Sequence, residues 1–246
     1  MTFFDLPNDY RGGGVFVDWR HYLWLIAIVA SSIFLFKHFR SNPKNARKTV
    51  VIMSWLLIVA TWSWQLIGVL FQDVRPIWHV IPWHMCSISG AVLPIVVLFN
   101  IKKIAQPVYL ISMMGAIATF AFVEYFDHKE MHFIFYQGII QHTLLFLIPI
   151  VEMASGNFKL ETKKIWQVIV YTLLMLAIGM LANKIVFAGY DTNFMYLEKS
   201  GFPNEFGGKY YFGLYVIIYF IVLTIIYACP ILWNKFKLPK IPAQTP

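Results

Sequence analysis

Residues 210–233 read YYFGLYVIIYFIVLTIIYACPILW, a run without one Asp, Glu, Lys, Arg or His. A hydrocarbon core about 30 Å thick takes about 20 apolar residues of helix to cross, and this run is long enough. Six more runs of comparable character precede it, at Trp19–Phe39, Lys48–Phe71, Trp78–Ile101, Gln106–Tyr125, His132–Glu152 and Lys164–Phe187. Pro, Gly, Asn and charged residues punctuate the stretches between them, the longest being AGYDTNFMYLEKSGFPNEFGGK at 188–209. No internal repeat or low-complexity segment interrupts the series. The expected fold is an all-α membrane protein. Residues 1–246 form a single polytopic domain of seven transmembrane helices, with the N-terminus outside and the C-terminus inside.

Composition supports the bilayer. Of the 246 residues, 59% are hydrophobic, 18% aromatic and only 13% charged, with mean hydropathy +0.64. A soluble domain carries about 25% charged residues, and one core of this size could not hide so much apolar surface. The first eighteen residues, MTFFDLPNDYRGGGVFVD, lack the basic n-region and short apolar stretch of a cleaved signal, so the first long run is expected to stay as a membrane helix.

Charge sets the expected orientation. Basic residues after the first, third and fifth runs and in the tail are Lys37, Arg40, Lys44, Arg47, Lys48, Lys102, Lys103, Lys159, Lys163, Lys164, Lys235, Lys237 and Lys240. The other side holds only Arg11, Arg20, Arg75, Lys129, Lys184, Lys199 and Lys209. Cytoplasmic loops carry the excess, which puts the tail inside. Trp19, Trp24, Trp78, Trp83, Tyr210 and Tyr211 near run ends fit interfacial belts. The net charge of +8 suits anionic headgroups. Nucleic acid is not an expected partner, because no basic cluster sits on a soluble, aromatic-interleaved surface. Membrane phospholipids are the expected partner, as solvent.

Polar groups at membrane depth cost free energy, so each one asks for a reason. Cys86 and Cys229 are the two cysteines, and their placement in apolar runs argues against a disulfide framework. Cys86 shares a helical face with His79, Trp83, Ser89, Gly90 and Leu93, whereas His84 is about 200° away around a regular helix. Most free cysteines are small buried hydrophobes. A catalytic one needs a group that takes its proton, and His84 on the wrong face is a poor choice. His142, about mid-membrane in the fifth run, is the better one; its commoner role would be helix packing. Gly138 lies one turn before it and permits close approach of another helix. Pro82 is expected to kink the third helix or to mark its start. Gln65 follows Thr61 on one face of the second run, as interhelical glue or as a substrate-positioning amide. Lys184 is expected to snorkel outward and Cys229 to be structural. His79, His84, His128 and His132 could approach one another near the outer boundary, but no HExxH-type spacing supports a metal site. No metal or cofactor is expected.

Pro82-Trp83-His84-Met85-Cys86 resembles the LP-x-H-x-C signature of the YwaF-like bacterial membrane proteins, relatives of the transmembrane protein 164 acyltransferases. His132-Phe133, with His142 ten residues after His132, is similar to the family's second motif, although Gln141-His142-Thr143 replaces its Ser-His-Gly. Asn193-Phe194-Met195-Tyr196-Leu197 is similar to its N-Y-M-F-L before the last span. The resemblance implies a bacterial plasma-membrane enzyme that moves a fatty acyl chain between glycerolipids. By position it makes Cys86 the nucleophile and His142 the general base. His84 and His132 become accessory, and Asn193 orients a group or donates to an oxyanion. Two readings from other classes stand beside it. One is a transporter or channel with Gln65, His84, His142 and Asn193 along a polar path. The other is a receptor or assembly protein that binds through the 188–209 loop.

Overall fold

The computed structural model describes residues 19–70, 81–121, 133–190, 192–199 and 208–235. Seven α-helices carry the chain among them: α1 (Trp19–Ser41), α2 (Ala46–Leu70), α3 (Met85–Leu98), α4 (Lys102–Ala121), α5 (Phe133–Ala154), α6 (Ile165–Leu181) and α7 (Tyr211–Lys235). No strand occurs among the described residues. Six helices are long and apolar enough to cross a membrane, which makes this a multi-pass membrane protein. The third expected span differs. Its helix covers only Met85–Leu98, about 21 Å at 1.5 Å per residue, and falls short of a bilayer core by itself. Pro82 precedes it rather than kinking it, so the proline marks where the helix can begin.

The layout follows from which helices can bury all round. α4 and α5 sit at the centre, with α2, α3 and α6 against them and α1 and α7 at the edges. Leu57, Leu93, Val97, Val108, Leu145, Ile148 and Val151 are almost wholly buried where α2 to α5 meet. A second cluster joins α4, α6 and α7 through Leu110, Ile111, Val168 and Leu223. The outer faces stay apolar: Ile26, Phe34, Val59, Leu173, Ile217 and Phe220 are exposed, as residues facing lipid tails should be.

Two helix ends on one side are finished by left-handed residues. Asn100 (φ 53°) ends α3, with Ile101 N–H donating to Val96 C=O and Asn100 N–H to Val97 C=O. Arg47 of α2 adds its guanidinium to the same end, donating to Val97 C=O (2.6 Å) and Leu98 C=O (3.1 Å). A cation there also suits the negative end of the helix dipole. Gly156 (φ 80°) ends α5.

Small Ser89 and Gly90 beside the thiol leave room for a substrate or for a closely packed helix, and at Gly90 the structure gives that space to α2. A Cβ at Gly90 would lie 2.3 Å from Thr61 Oγ1 and 3.2 Å from Thr61 Cβ, so even with the hydroxyl rotated away α2 must give by a few tenths of an ångström. Gly90→Ala is therefore expected to cost about 1–3 kcal/mol by pushing α2 and α3 apart. Thermal unfolding of the purified protein in detergent checks this, and an unchanged midpoint would mean the two helices separate freely.

Candidate active site

Cys86 stands in the first turn of α3. His84 is the residue before that helix, extended at φ −82° and ψ 148°, and it offers no side-chain cap. The first ladder bond runs from Ile88 N–H to His84 C=O (2.9 Å), so the N–H groups of Met85, Cys86 and Ser87 lie ahead of the helix's own hydrogen bonds. The positive end of the helix dipole is gathered around this cysteine.

The sulfur faces α4. Cys86 Sγ is 3.9 Å from Thr119 Oγ1, and a Cβ on Gly115 would come within 3.1 Å of it. Gly115 and Thr119 are one turn apart, the spacing of two small residues that lets a helix approach closely. That pattern in the fourth run was readable, and sequence reasoning passed over it. The Thr119 hydroxyl also donates to Gly115 C=O (3.0 Å).

The backbone of Cys86 faces α5. Gln141 Nε2 donates to Cys86 C=O (3.3 Å). Gln137, one turn earlier, donates to Gln141 Oε1 and to Ala60 C=O of α2 (2.9 Å). These two buried amides tie α2, α3 and α5 at one level, where all three would otherwise hold carbonyls or amides in hydrocarbon. Gln137 was not singled out from the sequence, although an i, i+4 glutamine pair in an apolar run is a signal of interhelical bonding.

His142 follows Gln141 and so lies at about the same depth as Cys86. It is 5% exposed, and its Nδ1 is 2.7 Å from Gly138 C=O. A carbonyl can only accept, so Nδ1 carries the proton and Nε2 holds the lone pair in the neutral ring. Gly138 thus serves its own helix by orienting the histidine. Gln65 reaches this level too. Thr61 meets Gly90, and one turn along the antiparallel pair brings Gln65 level with Cys86. Gln65 is 5% exposed, and its Oε1 accepts no hydrogen bond among the described residues.

His84 turns the other way. Its ring packs against Phe194 and Tyr196 (5.5 and 5.6 Å between centroids), and Met195 N–H approaches its Nδ1 at 3.4 Å. Trp83 joins with edge contacts to Phe187 and tilted stacking on Phe194. The PWHMC and NFMYL segments, 111 residues apart at His84 and Met195, therefore meet over the start of α3. Asn193 organises the second segment: its Oδ1 accepts from Glu198 and Lys199 N–H (3.0 Å each) and its Nδ2 donates to Lys199 C=O (3.1 Å). Asn183 does more, and sequence reasoning missed it. Buried at the end of the sixth span, it bonds both Phe194 N–H (2.9 Å) and Phe194 C=O (3.0 Å). Met195 and Tyr196 are held at φ 57° and 54°, a region that costs a non-glycine residue about 1–2 kcal/mol. Lys184 is exposed and pairs with Glu198 (2.6 Å).

His79, His128 and His132 lie outside the described residues, as does the side chain of Cys229. Among the described residues no group of three His, Cys, Asp or Glu side chains is placed to hold a metal ion.

No curated relative and no solved structure matched the chain. A family model described as TMEM164 family matches residues 16–227, which takes in the cysteine turn, His84, His142 and the strained 193–197 segment. The chain belongs to the TMEM164 family.

Proposed function

We propose that the protein is a membrane-embedded acyltransferase that moves a fatty acyl chain between glycerolipids through a thioester on Cys86, with His142 as general base. The observation that carries this reading is the position of Cys86 in the first turn of α3, at the depth of His142. Backbone N–H groups not used by the helix ladder are the donors that a developing oxyanion needs.

The Cys86 thiol gives its proton to His142 Nε2, and the sulfur attacks the ester carbonyl of a donor phospholipid. The ester C–O bond breaks, and the lysolipid alcohol leaves with that proton. An acceptor hydroxyl then gives its proton to His142 and attacks the thioester; the C–S bond breaks and the sulfur recovers the proton. Gln65 Oε1, an acceptor at this level, suits the hydroxyl of the incoming lysolipid. His84 and Asn193 act at a distance by holding the 193–199 segment over the site. The same reading places the N-terminus outside a bacterial plasma membrane and the C-terminus inside, on the bias of basic residues.

Intact-mass spectrometry of the purified protein after incubation with a defined phospholipid is the direct test. A mass increase equal to that lipid's acyl chain, mapped to Cys86, is the expected result. Acyl exchange that proceeds without such an adduct and survives loss of the thiol would remove the mechanism.

A further inference from the structure

At the end of the bundle opposite the Cys86 turn, a cavity of about 230 Å³ opens between the start of α4 and the α5–α6 connection. Four lysines line it, Lys102, Lys103, Lys159 and Lys164, with Glu161 as the one carboxylate in the lining. We infer that this cavity binds the phosphate of an anionic lipid headgroup or a free phosphate anion. The inference is independent of the chemistry proposed for Cys86.

The cavity is built rather than left over. Gln106 is 3% exposed and clamps its floor: Nε2 donates to Glu161 C=O (2.9 Å) and to the Tyr227 hydroxyl (2.7 Å), and Oε1 accepts Glu161 N–H (3.0 Å). Tyr109 and Phe158 meet edge to face at 5.0 Å and make an apolar wall. Phe158 N–H is returned to Glu152 C=O (3.0 Å), which fixes the turn after α5. Sequence alone gave only a tally of basic residues on this side; the clamp turns part of that tally into a concave site.

Charge decides the ligand class. Lys164 pairs with Glu161, and Lys102 donates to Asn157 C=O (3.1 Å). Lys103 and Lys159 have no carboxylate within ion-pair distance among the described residues. Like charges converging on one cavity repel, and an anion with several acceptor oxygens relieves them all at once. The cavity lies at helix ends, at headgroup level, where basic pockets take phosphate-bearing lipids.

The test uses the full purified chain in detergent and native mass spectrometry. Phosphatidylglycerol and phosphatidylcholine of matched chains are titrated in parallel. The wild type is expected to retain phosphatidylglycerol in preference, and K103Q/K159Q to bind it about thirtyfold more weakly. K103R/K159R keeps the charges and is expected to bind as the wild type does. K37Q/K48Q removes two exposed charges from the same end but outside the cavity, and is expected to leave binding unchanged. Displacement of the lipid by millimolar inorganic phosphate would make the free anion the source, and failure to displace it makes the headgroup the source. Equal binding of both lipids, or equal weakening in the two glutamine pairs, overturns the site.

Discussion

Cys86→Ala is expected to reduce acyl exchange between a labelled phospholipid and a lysophospholipid by at least about 10³-fold, close to the background of protein-free micelles. A thousandfold loss is about 4 kcal/mol of transition-state stabilisation, a plausible share for a covalent route whose nucleophile is gone. The fold is expected to survive. The sulfur's described polar contact is the long approach to Thr119, and a half-buried thiol contributes packing of about 1 kcal/mol. Thermal unfolding separates the two effects. His142→Asn probes the other half of the pair, because its amide can still donate toward Gly138 while no base remains. Residues that act as one unit do not add. The double variant is therefore expected to be no slower than Cys86→Ala alone. Wild-type exchange in both single variants would end the proposal, whatever the family.

Asn183→Leu is expected to release the 193–199 segment from the start of α3. Leucine fills a similar volume but leaves both Phe194 N–H and Phe194 C=O without their amide partner. At about 1–3 kcal/mol for each orphaned buried group, the loss is about 2–6 kcal/mol. Local release should take precedence over global unfolding, because it also relieves the left-handed strain at Met195 and Tyr196. Amide hydrogen exchange reads this directly. Protection at Phe194 and Met195 is expected to fall more than tenfold while α4 and α5 stay protected. If exchange there is unchanged, the contacts to Gly179, Trp83 and His84 hold the segment and Asn183 does not.

The two predictions test different layers of the same region. The first removes chemistry and leaves the scaffold; the second loosens the scaffold and leaves Cys86 and His142 in place. Lost exchange in Asn183→Leu, with an acyl adduct still forming on Cys86, would assign the segment to the second half of the reaction. Its rings pack on His84, the residue just before the helix that carries the thiol.

Apolar run length by itself determined that this chain is a helical membrane protein, because hydrocarbon admits only segments that satisfy their own backbone. Polar groups are costly at membrane depth, so Cys86, His84 and His142 stand out against Leu, Ile and Phe, whereas Asn193 was brought out only by the resemblance of its segment to a family motif. Tertiary structure decided what run length cannot express. The third run is long enough to span, but Pro82 and the extended His84 delay its helix until Met85, and the cysteine falls in the first turn. Gly90 and Gly115 look alike in sequence; only packing assigns the first to Thr61 and the second to the sulfur. Asn183 and Gln137 looked like ordinary polar residues near helix ends, and their roles depend on carbonyls and N–H groups from distant segments. Hydrophobic burial is non-directional and shows in composition. Hydrogen bonds are directional and exist only once the partner segments have been brought together.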